Sequence, residues 1–176
     1  MNAQLERARK EIDSAVEGMP PEQLEASRDG KWSAAQILEH LSLAFGGTAK
    51  GLHKIIASGQ TRATSPSLRD RAICAVVLRL GYVPKGRKAP EYTRPRGMSG
   101  EAALNAIRNN LQELDTALAE CEKRFGSHVK INNHPLMGPF TVEEWRRFHF
   151  VHTRHHMRQI RALRTRQQQS AAARGA

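Results

Sequence analysis

Apolar residues recur at spacings of three and four along most of the chain, the period of helices that bury one face. Leu5, Ala8, Ile12 and Val16 set a first helix over residues 3–18, stopped by Gly18 and the Pro20-Pro21 pair. A second opens at "KWSAAQI", where Ser33 and Gln36 have the spacing of a capping box and Trp32 and Ile37 that of a hydrophobic staple. Ile37, Leu41, Ala44, Leu52 and Ile55 form its stripe, which should end near Gly59. Ser65-Pro66 places a proline at the first position of a third helix. The β-branched "AICAVVLRL" run within it would suit a strand, but the cap and the lack of a partner strand favour helix. After Ser99 comes the clearest seam: Leu104, Ile107, Leu111, Leu114, Leu118, Cys121 and Phe125, closed by Gly126. Thr141 and Glu144 cap the fifth helix, Phe140 can staple to Trp145, and the helix runs to about Arg166.

Five such helices with no strand pattern predict an all-α fold in which helices pack as a bundle. Residues 81–98, "GYVPKGRKAPEYTRPRGM", hold three prolines and read as a long irregular connection. With 176 residues the chain fits one domain, taken as 1–166, and the polar end 167–176 is expected to be disordered. Cys74 and Cys121 have no CxxC partner and lie on apolar helical patterns, so they read as buried free thiols of a reducing cytoplasm. The charged start "MNAQLERARKEID" lacks the apolar core of a signal peptide, and no apolar run approaches a membrane span.

The net charge of +11 is unevenly placed. From Trp145 onward there are eight arginines and no acid, and Lys85, Arg87, Lys88, Arg94 and Arg96 form a second basic cluster. Such a surface attracts anions, nucleic acid included, without supplying chemistry.

Chemistry enters with "FHFVHTRHHMRQI", which puts four of the chain's eight histidines into residues 149–156. At about 100° per residue, His149, His152 and His156 share the apolar stripe with Trp145, Ile160 and Leu163. His155 projects away from it, and the arginines fall mainly on another face. His152 and His156 lie one helical turn apart and can converge on one ion. A single inward histidine is usually a hydrogen-bonded core residue, but three on one helix are harder to satisfy without a metal or a wet cavity. His40, at the edge of the second helix's stripe, is the best third ligand; His53 projects to a polar side, His128 follows a helix end and His134 lies in a loop. With no nearby cysteine and no HExxH, the pattern is neither a zinc finger nor a thermolysin-like protease.

"KWSAAQILEHL" together with "HPLMGPFTVEEWRRFHFVHTRHHMRQI" resembles the DinB/YfiT-like superfamily, in particular a branch of uncharacterised bacterial proteins, over about residues 30–165. The resemblance implies a four-helix bundle, here with an additional short helix, holding a divalent metal through three histidines. On this sequence these are His40 of "EHL" and His152 and His156 of "HTRHHMRQ". It further implies metal-dependent chemistry of the kind seen in relatives: thiol-dependent transferases, isomerases and some hydrolases. His149 and Gln159 are then expected to support the ligands or contact substrate. Zinc or nickel is the expected metal, a low-molecular-weight thiol a candidate cosubstrate, and a small molecule the substrate. A homodimer is left open. Two other readings stand beside this one: a non-catalytic metal-binding stress or sensor protein, and a basic nucleic-acid-associated protein with incidental histidines. On the leading reading nucleic-acid binding is at most weak and non-specific.

Overall fold

The computed structural model describes residues 1–27, 30–82 and 89–172, with side chains described as far as residue 169. Lys85, Arg87 and Lys88 of the basic connection and residues 173–176 of the tail lie outside the described residues. The described residues form six α-helices: α1 (Ala3–Val16), α2 (Pro21–Glu25), α3 (Ala34–Ser58), α4 (Leu68–Cys74), α5 (Gly100–Phe125) and α6 (Val142–Ala172). Four of them, α1, α3, α5 and α6, make the bundle; α3 packs along α5, α1 packs along α6, and α3 also meets α6.

The caps act where the local sequence placed them. Ser33 Oγ accepts from the Gln36 N–H while Gln36 returns a bond to the Ser33 N–H. Thr141 and Glu144 do the same at the head of α6, and Phe140 meets Trp145 edge-on at 5.0 Å. In α5, Ile107, Leu111, Leu114, Leu118 and Cys121 are buried, while Leu104 and Phe125 at the ends of the seam are half-buried. They join Leu38, Leu41, Phe45 and Leu52 of α3 and Leu5, Ala8 and Ile12 of α1 in one core.

Several details differ from the sequence expectation. The third helix begins at Leu68, because Ser67 and Asp70 close a capping box of their own and Pro66 stays outside. Its second half, Ala75–Arg79, is wound as a π-helix. Short α2 follows Pro20, and residues 132–134 pair antiparallel with 138–140, setting Asn132 against Phe140 and His134 against Gly138. Helix α6 continues past Arg166 to Ala172, further than expected. In the connection before α5, Glu91–Thr93 forms a 3₁₀ turn. Both cysteines are free; Cys121 is buried, Cys74 half-buried, and burial pushes the Cys121 thiol up to about 11.

The packing of α5 against α3 yields a direct test. Leu114 is 0% exposed, so Leu114→Ala should lower the unfolding free energy by about 2–5 kcal/mol in urea melts. Leu104→Ala, at the half-buried end of the same seam, should cost clearly less. Equal losses would mean that the seam is not graded in this way.

Candidate metal centre

α3 and α6 cross so that His40 faces the His152/His156 pair. His156 Nε2 lies 3.1 Å from His152 Nε2, and His40 Nε2 lies 3.4 Å from it. Each residue offers a ligand nitrogen within 4.8 Å of the others. The inward nitrogens are selected by what the opposite edges of the rings do. His40 Nδ1–H donates to the Thr93 carbonyl oxygen at 2.8 Å, and His156 Nδ1–H donates to Gln159 Oε1 at 2.8 Å. Each ring thereby presents an unprotonated Nε2, with its lone pair, to the shared space.

Two facing lone pairs and a third imidazole nitrogen repel unless something positive lies between them. One proton on His152 Nε2 can be shared by the other two. A divalent cation satisfies all three at once. With metal–nitrogen distances of about 2.0–2.1 Å and tetrahedral angles, ligand nitrogens stand about 3.3 Å apart. The observed 3.1 and 3.4 Å fit that spacing. His152 Nδ1 is buried without a hydrogen-bond partner among the described residues, so none of them holds that ring by its far edge.

The surroundings favour neutral imidazole, the form that binds metal. Burial is the main cause lowering the pKa of all three, opposed at His40 by its bond to Thr93. His156 falls to about 3, with His40 nearby adding to the effect and Gln159 opposing it; His152 falls well below the usual histidine range, with His156 and His40 adding to burial. Two aromatic rings flank the group: Trp32 lies 5.2 Å from the His40 ring, and Phe148 stacks on His152 at 5.3 Å.

The remaining residues singled out by sequence fall as follows. Gln159 joins two of the histidines, accepting from His156 and donating to His155 Nε2 at 3.2 Å. His155 is thus tied to the outside of the group and is not a member of the triad. His149 is 0% exposed, stacked on Trp145 and edge-on to Phe45, with neither ring nitrogen hydrogen-bonded among the described residues. A ring so enclosed is placed to pack beneath the three candidate ligands, whereas contact with a substrate arriving from solvent would require it to be uncovered. His134 stacks on Phe140 in the hairpin and is lowered by burial to about 4. His53 is exposed and bonds Glu113, and His128 is exposed. Sequence patterns did not point to Thr93, whose contribution is a backbone carbonyl, or to the aromatic walls Trp32 and Phe148.

The helical bundle thus brings three imidazoles from two facing helices close enough to hold a metal ion. The family model of the DinB superfamily matches residues 4–160, and the chain belongs to that superfamily. No curated protein and no solved structure matches it.

Two predictions come from this geometry. Protein purified without chelator should carry about one divalent ion per chain by elemental analysis. His152→Ala or His156→Ala should remove most of it, and His155→Ala much less; equal loss at His155 would show the wrong residues have been chosen. The second concerns acid. His149 is neutral when folded, with a pKa lowered to about 3 by burial first and by His134 second. In the unfolded chain it protonates near 6.5. Its contribution is therefore intact above pH 6.5 and is lost progressively as pH falls toward 3, at about 1.4 kcal/mol per pH unit. His149→Phe should fold well at pH 7, since neither nitrogen has a partner to lose. Its stability in urea should fall less steeply between pH 6.5 and 5 than that of the parent. Parallel pH profiles would contradict the burial of a neutral ring.

Proposed function

We propose that the protein is a divalent-metal enzyme of the thiol transferase or hydrolase kind, acting on a small molecule. The observation that carries this reading is the convergence of three Nε2 atoms, two of them held in that tautomer by Thr93 and Gln159. Three protein ligands leave room for an exogenous one. When bound, a zinc or nickel ion would lower the pKa of a water or thiol taking that position, giving a nucleophile near neutral pH.

The chain's own residues then have the tasks of holding the ligands and walling the site. His40 and His156 are oriented by their Nδ1–H bonds, and Trp32 and Phe148 provide flat apolar sides against which a small substrate can lie. The carboxylates nearest in sequence are engaged elsewhere: Glu39 accepts three backbone N–H bonds, and Glu144 is shared by Lys130 and the Thr141 N–H. Neither is placed to take a proton from a nucleophile, which favours a nucleophile ionised by the cation itself. In thiol transfer, the sulfur pair forms the new bond to an electrophilic carbon, and the leaving group departs with its own pair.

The arginine face is a weaker basis for function. Arg146 is buried against Glu122 and Glu143, Arg161 pairs with Glu11, and Arg147 donates to the Leu78 carbonyl. Arg154 lies over the Phe150 ring. Much of that charge is used in binding helices together, so nucleic-acid contact is at most weak and salt-sensitive in this reading. No described helix is long and apolar enough to cross a membrane.

The test is turnover. Zinc- or nickel-loaded protein, screened with low-molecular-weight thiols against small electrophiles and with water against small esters and amides, should show a reaction. That reaction should need the metal and vanish in His152→Ala. A loaded protein that turns over none of them would favour the non-catalytic sensor or stress reading.

A further inference from the structure

Glu39 and His40 are consecutive on α3, and both grip the same stretch of chain. The Glu39 carboxylate is 0% exposed. Its Oε1 accepts from the Arg96 N–H at 2.7 Å, and its Oε2 accepts from the Gly97 and Met98 N–H groups at 3.0 Å each. Three backbone donors on one buried carboxylate make a strong clamp, because each bond is charge-assisted and the alternative is an unsatisfied buried anion. Three residues before Arg96 lies Thr93, 4% exposed, whose carbonyl accepts the His40 Nδ1–H. Thr93 also donates its hydroxyl to the Pro90 carbonyl, closing the 3₁₀ turn on itself. The carbonyl that fixes the orientation and tautomer of His40 thus belongs to a loop whose following residues are fastened by the side chain next to His40.

We infer that Glu39 is a positioning residue for the metal centre, acting on His40 through the loop that carries Thr93. This inference rests on the reading of His40, His152 and His156 as ligands. Without the clamp, the Thr93 carbonyl loses its fixed place. The His40 ring can then rotate or move its proton to Nε2, while His152 and His156 keep their own arrangement on α6. The cost falls on metal affinity through one ligand of the three. Partners that orient metal-binding histidines typically contribute a factor of about 10–100 in affinity.

The experiment is an optical titration of the apo-protein with cobalt(II), whose absorption bands report coordination directly, on wild type, Glu39→Gln, His40→Ala and the double variant. Glutamine keeps the size of the side chain but puts an N–H₂ where a carboxylate oxygen accepted a backbone N–H. Glu39→Gln should bind cobalt about tenfold more weakly than wild type. In the His40→Ala background the same change should have little further effect, because its route to the metal has been removed. An undiminished affinity in Glu39→Gln, or the same fold loss with and without His40, would overturn the inference. Hydrogen exchange of the wild-type protein tests it even if Glu39→Gln fails to fold. Coupling is reciprocal, so cobalt should slow exchange of the Arg96, Gly97 and Met98 amides severalfold, and unchanged exchange would overturn it. If wild type itself bound no cobalt through the three histidines, the ligand reading would fail and this inference with it. Normal cobalt binding by both wild type and Glu39→Gln would defeat this inference alone.

Discussion

Three imidazoles held with their Nε2 atoms facing one another cannot satisfy themselves. Two of them already donate their only N–H outward, to Thr93 and to Gln159, and so bring lone pairs to a common point. One proton or one cation must sit among them. The core of Leu, Ile and Phe side chains places α3 against α5 around the site. Three imidazoles that could hold an ion leave room for an exchangeable fourth ligand.

The polar groups around the triad divide into two kinds. Some are tied into bonds that have a directional consequence: Thr93 and Gln159 choose tautomers, and Glu39 holds three backbone amides. Others, such as both nitrogens of His149 and Nδ1 of His152, are buried without hydrogen-bond partners among the described residues. A buried imidazole of the second kind is held neutral by desolvation and contributes volume and stacking, as His149 does between Trp145 and Phe45. Within two turns of one helix the same residue type is therefore placed either to offer a ligand nitrogen or to pack, according to what its nitrogens face.

Much of this was legible in the sequence because it is local. The i,i+4 spacing and the helical projection placed His152 and His156 on one inward face and set His155 apart. Capping boxes at Ser33/Gln36 and Thr141/Glu144 are three-residue relationships that survive folding unchanged. His40 was singled out by its place at the edge of the α3 stripe and by the resemblance to the DinB-like superfamily. The start of α4 was misplaced because two start signals overlap, and the Ser67–Asp70 box outcompetes a proline at Pro66. The hairpin escaped notice because strands of three residues carry no period. Thr93 and the loop amides on Glu39 were invisible for a different reason: backbone groups contact α3 from more than fifty positions away, and a backbone donor leaves no mark in residue type.

The central claim is that three histidine nitrogens, and no sulfur, hold one ion. X-ray absorption at the metal edge of the zinc-loaded protein measures this directly. The account predicts three imidazole nitrogens at about 2.0–2.1 Å, with outer scattering from the rings, and a remaining light-atom ligand. A sulfur shell at about 2.3 Å in protein free of added thiol, or a shell of oxygens without imidazole scattering, would contradict it.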